Sequence, residues 1–520
     1  MHSPILRVEK KYVDATINIA LDTLARDKQA LIFVGSKRGA EKVATDVSGK
    51  LKIVTQEVLA EKILNVLSHP TEQCRRLSEA IKKGIAFHHA GLAPKQKELI
   101  EDGFREGTIK IISCTPTLAA GLDMPAFRTV IRDLKRYTGT WGMQYIPVLE
   151  YQQMAGRAGR PGKEDYGEAI CIARDNLNKD KILNSFLRAD VEPIYSKLAV
   201  EPVLRTYILS LVASGFVDTI SSAKEFFGKT FWAFQYGDMH KLETIIQRVI
   251  SLLRSYGFLE GEGNKNVQEK TDDFQTGTDL IKKHNEQDEG MLKATRLGER
   301  VAQLYLDPLT AYHIMNGLNK NVQPTTFAIL QLLSNTLEMR PLLPVRVREA
   351  EAIEDELVNY REELLQDEPT MFENGYQEFL NSIKTSLCLR DWLDEAGEDL
   401  LLERYGIRPG ELRAKLSIVD WLTYCASEIS KVLAKQQYIG VLYKLRTRLK
   451  YGVKEELLPL LRFKNVGRVR SRTLFREGIH SSKDIKAIST EKLSGIIGKK
   501  LAESLKIQAD ATVTDFSSLS

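Results

Sequence analysis

The string Gln153-Met-Ala-Gly-Arg-Ala-Gly-Arg160-Pro161 sets two arginines, Arg157 and Arg160, three residues apart with only small residues between them. Read as a helical start, that spacing turns both guanidinium groups toward nearly one face. Two such forks suit the negative charge that spreads over phosphoryl oxygens during transfer. A second string, Ser113-Cys-Thr-Pro-Thr-Leu-Ala-Ala-Gly-Leu-Asp-Met-Pro125, follows a strand-like run and offers the hydroxyls of Thr115 and Thr117. A third, Leu31-Ile-Phe-Val-Gly-Ser-Lys-Arg38, ends in Ser36, Lys37 and Arg38. A loop at the carboxyl end of a parallel strand is where such sheets bind ligands, and these three side chains suit a backbone phosphate. His88 and His89 lack the further ligands that zinc needs, so they read as packing or backbone contacts.

The elements that must position these strings alternate between strand and helix. Ala30–Val34, Ile85–His89, Ile109–Ser113 and Gly167–Ala173 are short apolar runs, each suited to a buried parallel strand. Residues 1–188 therefore read as an α/β lobe built on a parallel sheet. Between the two longest strings, Phe127–Tyr137 and Met143–Pro147 read as two arms of a hairpin, with Trp141 at its tip.

Beyond residue 190 the pattern becomes helical. Segments near 200–215, 221–236 and 241–256 read as helices that lead into a two-stranded ribbon, the winged-helix pattern, over 189–300. Within it, Gly261 to Gly290 is polar and reads as an extended wing. Residues 301–440 read as an all-helical bundle. From 441 to 510 the chain is basic, and Val466-Gly-Arg echoes Ile497-Gly-Lys, an apolar residue and a glycine opening a helix, as in helix-hairpin-helix units. There Arg468, Arg470 and Arg472, with the amide of Gly467, suit a phosphate backbone. Residues 511–520 read as a disordered tail.

Composition sets wider bounds. The 520 residues carry a net charge of +5, so nucleic-acid binding has to be argued from local clusters. The five cysteines are unpaired at any metal or redox spacing, which points to a reducing, intracellular setting without a zinc site. No apolar stretch reaches the length of a membrane span.

The three strings, in this order and spacing, resemble the fourth, fifth and sixth motifs of superfamily-two helicases, and together identify the second RecA-like lobe. The resemblance implies that Arg157 and Arg160 reach the γ-phosphate while Gln153 positions the attacking water. It further implies that Thr115 and Thr117 contact a strand phosphate, and that Gly121 and Asp123 face the nucleotide. Leu122-Asp123 stands where members more often have Val-Asn. In Ski-two-like helicases a hairpin at this place is the wedge between strands; an ordinary sheet-edge hairpin is the other reading.

Thr295–Thr310, Asp391-Trp392-Leu393, Glu403–Leu412 and Asp420-Trp421-Leu422 are similar to the wing junction and bundle of archaeal HelQ-type DNA-repair helicases. That family implies ATP and Mg2+ as cofactors and 3′-to-5′ unwinding of forked DNA at stalled replication forks. It also implies single-stranded and forked DNA as partners, a monomer, and a cytoplasmic, nucleoid-associated location. No G-x-x-x-x-G-K-[ST] string occurs, nor an Asp-Glu-x-His-type box, so the phosphate-cradling loop and the Mg2+ ligands are expected outside this chain. A first lobe of roughly 200 residues is expected upstream. A related RNA helicase and a non-enzymatic DNA-binding fragment are the alternative readings.

Helical geometry singles out Trp421. At about 100° per residue, Leu412, Leu416, Val419, Leu422, Ala426 and Ile429 share one side, and Trp421 faces away among Arg413, Ser417, Tyr424 and Glu428. It is either packed on a second layer of the bundle or a stacking platform for bases. The HelQ-type resemblance favours the platform, with Arg413 as its basic companion.

Overall fold

The computed structural model describes residues 8–52, 56–67, 70–119, 124–137, 142–160, 162, 164–198, 200–260, 291–320 and 322–511. Gly121, Asp123 and Trp141 lie outside the described residues, as do the proposed wing and the last nine residues of the tail. The chain divides into two compact units. One comprises Met1–Ile194 with Gly397–Ala414, the other Tyr195–Ala396 with Lys415–Ser520.

The first unit is built on β1 (Ala30–Phe33), β2 (Ile85–His88), β3 (Ile111–Cys114), β4 (Arg128–Ile131), β5 (Lys135–Tyr137), β6 (Met143–Tyr145) and β7 (Glu168–Cys171). Five of these form a parallel sheet in the order β2-β3-β1-β4-β7, the RecA-like arrangement expected from the apolar runs. Strands β1, β2 and β3 are buried along their whole length, which is why they read as unbroken apolar runs rather than as alternating ones. Helices Ala15–Ala25, Lys37–Ser48, Glu72–Ile81 and Pro94–Arg105 accompany the sheet.

The hairpin is present as the antiparallel pair β5–β6, with Lys135 opposite Tyr145. Its first arm is shorter than the expected Phe127–Tyr137. The leading half of that run is instead β4, a sheet strand between β1 and β7. Arg128 explains how a charged residue enters such a strand. It is 1% exposed, and its guanidinium donates to Glu168 at 2.7 Å, Asp22 at 2.9 Å and Thr23 at 2.8 Å. A buried arginine with these acceptors is satisfied, so it ties the first helix to two strands.

In the second unit, Glu201–Ala213, Ile220–Gly228, Phe231–Tyr236 and Met239–Ser255 are helices. The expected 221–236 helix is thus two, broken where Thr230 caps the shorter one. Of the ribbon, the bridge Leu259–Ala294 is described. The helical region that follows includes Pro308–Asn319, Thr326–Ser334, Tyr376–Leu393, Pro409–Val432, the first turn of which belongs to the first unit, and Gln436–Tyr451. Helices Arg468–Arg476, Ser482–Ala487, Thr490–Ile497 and Lys499–Ala511 close the chain around their own small core of Leu474, Ile485, Leu493 and Leu505. Both echoed glycines, Gly467 and Gly498, directly precede a helix. This order fits winged-helix, ratchet-type and helix-hairpin-helix regions. Among the described residues no helix is long and apolar enough to cross a membrane.

Candidate nucleotide and strand site

The carboxyl ends of β1 and β3 carry two of the strings singled out above and that of β4 leads into the hairpin, whereas the arginine string follows helix Val148–Ala155. After β1, Ser36 Oγ accepts from the Gly39 amide at 3.0 Å, capping helix Lys37–Ser48. Ser36 and Arg38 are exposed, whereas Lys37 forms an ion pair with Glu411. Gly35 sits against the root of the hairpin. Its amide donates to Asp133 at 3.0 Å, and a Cβ there would lie 2.5 Å from the Lys135 carbonyl oxygen. After β3 the chain makes a single turn, Pro116–Leu118, in which Thr115 and Thr117 hydroxyls are 3.0 Å apart.

The two arginines are not on a helical face. Helix Val148–Ala155 ends at Gly156, and the chain then turns back so that Ala158 bridges Ala126. The small residues fix this turn. Gly159 has φ +94°, and a Cβ on Gly167 would collide with the backbone of Ala158 and Gly159. Gln153 is exposed on the helix. Arg157 donates to the Ala119 carbonyl at 2.6 Å, which links the turn to the end of the string that follows β3. Arg160 is held by Glu164, with contacts of 2.6 and 3.3 Å, and by Gln29. The Glu164 carboxylate is only 3% exposed. Burial works to raise its pKa, yet Arg160 and Lys28 hold it below the usual carboxylate range.

Sequence reasoning missed the residues that hold this turn. Glu164 was legible as an acid four residues after Arg160. Glu192 was not. Its carboxylate accepts from the amides of Val148 at 2.5 Å and Leu149 at 3.2 Å, capping the helix whose own N-cap is Pro147. Those amides hold Glu192 below the usual range.

The histidines are packed, not free ligands. His88 Nε2 lies 3.0 Å from Glu101, and His89 Nε2 lies 3.2 Å from Glu41. Burial lowers both imidazole pKa values, against the pull of those carboxylates. Glu41 is pushed up by burial but held low on balance by His89, Arg408 and Arg76. Among the described residues no cluster of acids, histidines or cysteines could hold a metal ion.

These shifts have one sign. A histidine depressed in the folded state contributes fully above its unfolded value, about 6.5, and costs stability below it. A depressed carboxylate contributes above its unfolded value and is lost as pH falls through the folded one. The melting temperature is therefore expected to fall from pH 7 toward pH 4, beginning near pH 6.5. A profile that stays flat or rises over that range contradicts the assignment.

One string invites a different reading. Ala223-Lys-Glu-Phe-Phe-Gly-Lys-Thr230 is a relaxed form of the phosphate-loop pattern. Its amides lie within helix Ile220–Gly228, Lys229 pairs with Glu225 at 2.6 Å, and Thr230 caps the next helix. A phosphate loop follows a strand and leaves its amides open to phosphate, whereas these amides are taken up within a helix.

In the second unit, the basic terminal helix is partly committed. Arg472 pairs with Glu395 and with Glu456 at 2.7 Å, and Arg468 lies over the Trp392 ring at 5.0 Å and donates to the Ala396 carbonyl at 3.0 Å. Arg470 is exposed and donates to the Asn465 carbonyl at 2.7 Å. Truncating Arg472 to alanine is expected to cost about 1–3 kcal/mol, because Glu395 is left half-buried without its partner. Arg470→Ala is expected to leave stability unchanged and lower the salt slope of DNA binding by about 1. Denaturant titration and salt-dependent DNA binding check the pair; the reverse pattern would exchange their roles.

On helix Pro409–Val432, Leu412, Val419, Leu422, Ala426 and Ile429 are buried and Leu416 is half-buried, as the periodicity predicts. Trp421 is half-buried on the other side. Its neighbour Asp420 pairs with Arg446 at 3.1 Å, and Arg446 lies over Tyr424. Arg413, in the first unit, is exposed and pairs with Glu398 at 3.2 Å.

Two family models match this chain: the helicase conserved C-terminal domain over residues 12–162, and domain 4 of an archaeal helicase over residues 327–452. An ATP-dependent DNA helicase Hel308 of Methanococcus vannielii is 38% identical over 515 residues, covering 94% of this chain. The chain belongs to the Hel308 helicase family. Hel308 proteins of Methanocella arvoryzae and Pyrococcus horikoshii are 36% and 33% identical, over 95% and 94% of the chain. The chain spans 66%, 64% and 65% of the length of these three relatives. The first family model covers the arginine turn, and the second covers the whole of the helix that carries Trp421.

Proposed function

We propose that this chain supplies the second RecA-like lobe and the strand-handling domains of an ATP-dependent DNA helicase. The enzyme moves 3′ to 5′ and opens forked DNA during replication-fork repair. The observation that carries this reading is the Arg157–Arg160 turn, bridged to Ala126 ahead of β4 and tied through Arg157 to the Ala119 carbonyl, just past the Thr115–Thr117 turn. Arg157 and Arg160 stabilise charge on the γ-phosphoryl group, and Gln153 orients water. Gly121 and Asp123 belong to the nucleotide cleft. ATP and Mg2+ are held mainly by a phosphate loop and carboxylates that no string in this sequence provides. Ser36, Arg38, Thr115 and Thr117 take strand phosphates, Trp141 works at the wedge, and Trp421 stacks on bases. Gly467, Arg468, Arg470 and Arg472 form the terminal DNA-binding region, with Arg470 the most available.

On this reading the purified chain binds single-stranded DNA but turns over no ATP and opens no duplex. Strand binding by fluorescence anisotropy, with phosphate release measured in parallel, checks both halves. DNA-stimulated ATP turnover by the chain alone, or a lack of strand binding, would overturn the proposal.

A further inference from the structure

Helix Pro409–Val432 begins in the first unit and continues into the second from Lys415. Its first turn is fastened to the lobe by several independent contacts. The Gly410 amide donates to the Gly91 carbonyl at 3.1 Å. A Cβ on Gly410 would run into the carbonyl oxygens of Ala90 and Leu92, and one on Gly91 into the Arg408 side chain. Arg408 reaches Glu41 at 3.3 Å, and Arg76 reaches the same carboxylate at 2.8 Å. Gln73 donates to the Gly91 carbonyl at 3.3 Å. Glu411 accepts from the Arg408 amide at 2.9 Å with one oxygen and from Lys37 with the other.

Lys37 thus stands in a string whose neighbours are exposed, yet its ammonium is spent on a residue 374 positions away. Glu41, 4% exposed at its side chain, gathers Arg76, His89 and Arg408 around one carboxylate. A buried carboxylate with that many donors holds its surroundings in one arrangement, because each donor released gives up a charge-assisted hydrogen bond where little water can replace it. Farther along the same helix, Val419, Leu422 and Ile429 are buried in the second unit. A continuous helix of 24 residues is stiff over its length, so a helix held at both ends carries displacement between them.

We propose that Lys37, Arg408 and Glu411 form a joint that seats the first turn of this helix on the lobe, so that strand engagement near Trp421 is felt in the lobe; Lys37 serves the joint and not a phosphate. The inference rests on the helicase reading above. The three are positioning residues: they act through the helix and touch neither nucleotide nor strand.

The test uses the 520-residue chain and an oligothymidylate single strand. Helix Glu72–Ile81 and the turn up to Leu92 hold the joint through Gln73, Arg76 and His89, and no strand contact is assigned there. Strand addition is expected to slow amide hydrogen exchange across residues 72–92 several-fold in the unmodified chain. The slowing is lost in Glu411→Lys and restored in the double variant Lys37→Glu with Glu411→Lys, a pattern a merely structural pair would not give. Lys37→Met leaves the salt slope of strand binding unchanged, whereas a phosphate contact would lower it by about 1. A lowered slope, slowing that persists in Glu411→Lys, or no slowing in a chain that binds strand overturns the joint alone. A chain that does not bind strand overturns the helicase reading and the joint with it.

Discussion

Arg157→Ala, in a polypeptide that joins this chain to a lobe bearing a phosphate loop, is expected to lower ATP turnover roughly a thousandfold or more, the scale of an arginine finger. Strand affinity without nucleotide is expected to stay near its starting value. The geometry separates Arg157 from its neighbour. Arg157 donates to the Ala119 carbonyl at 2.6 Å. Arg160→Ala would leave the Glu164 carboxylate, 3% exposed, without the nearer of its two described ion-pair partners, the other being Lys28 at 3.5 Å. Arg160→Ala is therefore expected to lose turnover and stability together. Steady-state phosphate release with thermal melting reads both; near-normal turnover in Arg157→Ala removes it from the cleft.

Trp421→Ala carries the second large effect. Stacking contributes ~1–3 kcal/mol per base, so single-strand affinity should fall by about fivefold to a hundred-and-fiftyfold. The side chain is half-buried rather than enclosed, and the apolar side of the helix is formed by other residues, among them Val419, Leu422 and Ile429. The melting temperature should accordingly change little. In the joined enzyme the same substitution should uncouple hydrolysis from unwinding. A large loss of stability with unchanged strand affinity would make Trp421 part of the core instead.

What could be read from the residues follows from how local each signal is. Buried parallel strands announce themselves as short apolar runs, so β1, β2, β3 and β7 were legible to within a residue or two. β4 was read as part of a hairpin arm rather than as a sheet strand, because its leading residue is an arginine whose acceptors, Asp22 and Glu168, lie far away in the chain. The arginine string was legible as chemistry but not as geometry. Helical periodicity assumes the helix continues, whereas the Gly159–Gly167 approach turns the chain back. Lys37, Arg468 and Arg472 look alike in sequence to any exposed base. Their partners Glu411, Trp392 and Glu395 are set by tertiary packing, which no spacing rule reaches. On the long helix, by contrast, six apolar positions at helical period placed the buried side and hence the outward side of Trp421.

The central claim is that this chain holds the arginine half of a nucleotide cleft whose phosphate loop lies elsewhere. It is tested most directly by DNA-stimulated ATP turnover, measured on the chain alone and on the chain joined to a phosphate-loop lobe. The account predicts no turnover alone, robust turnover when joined, and its loss in Arg157→Ala. Turnover by the chain alone, or a joined enzyme indifferent to Arg157, would contradict it.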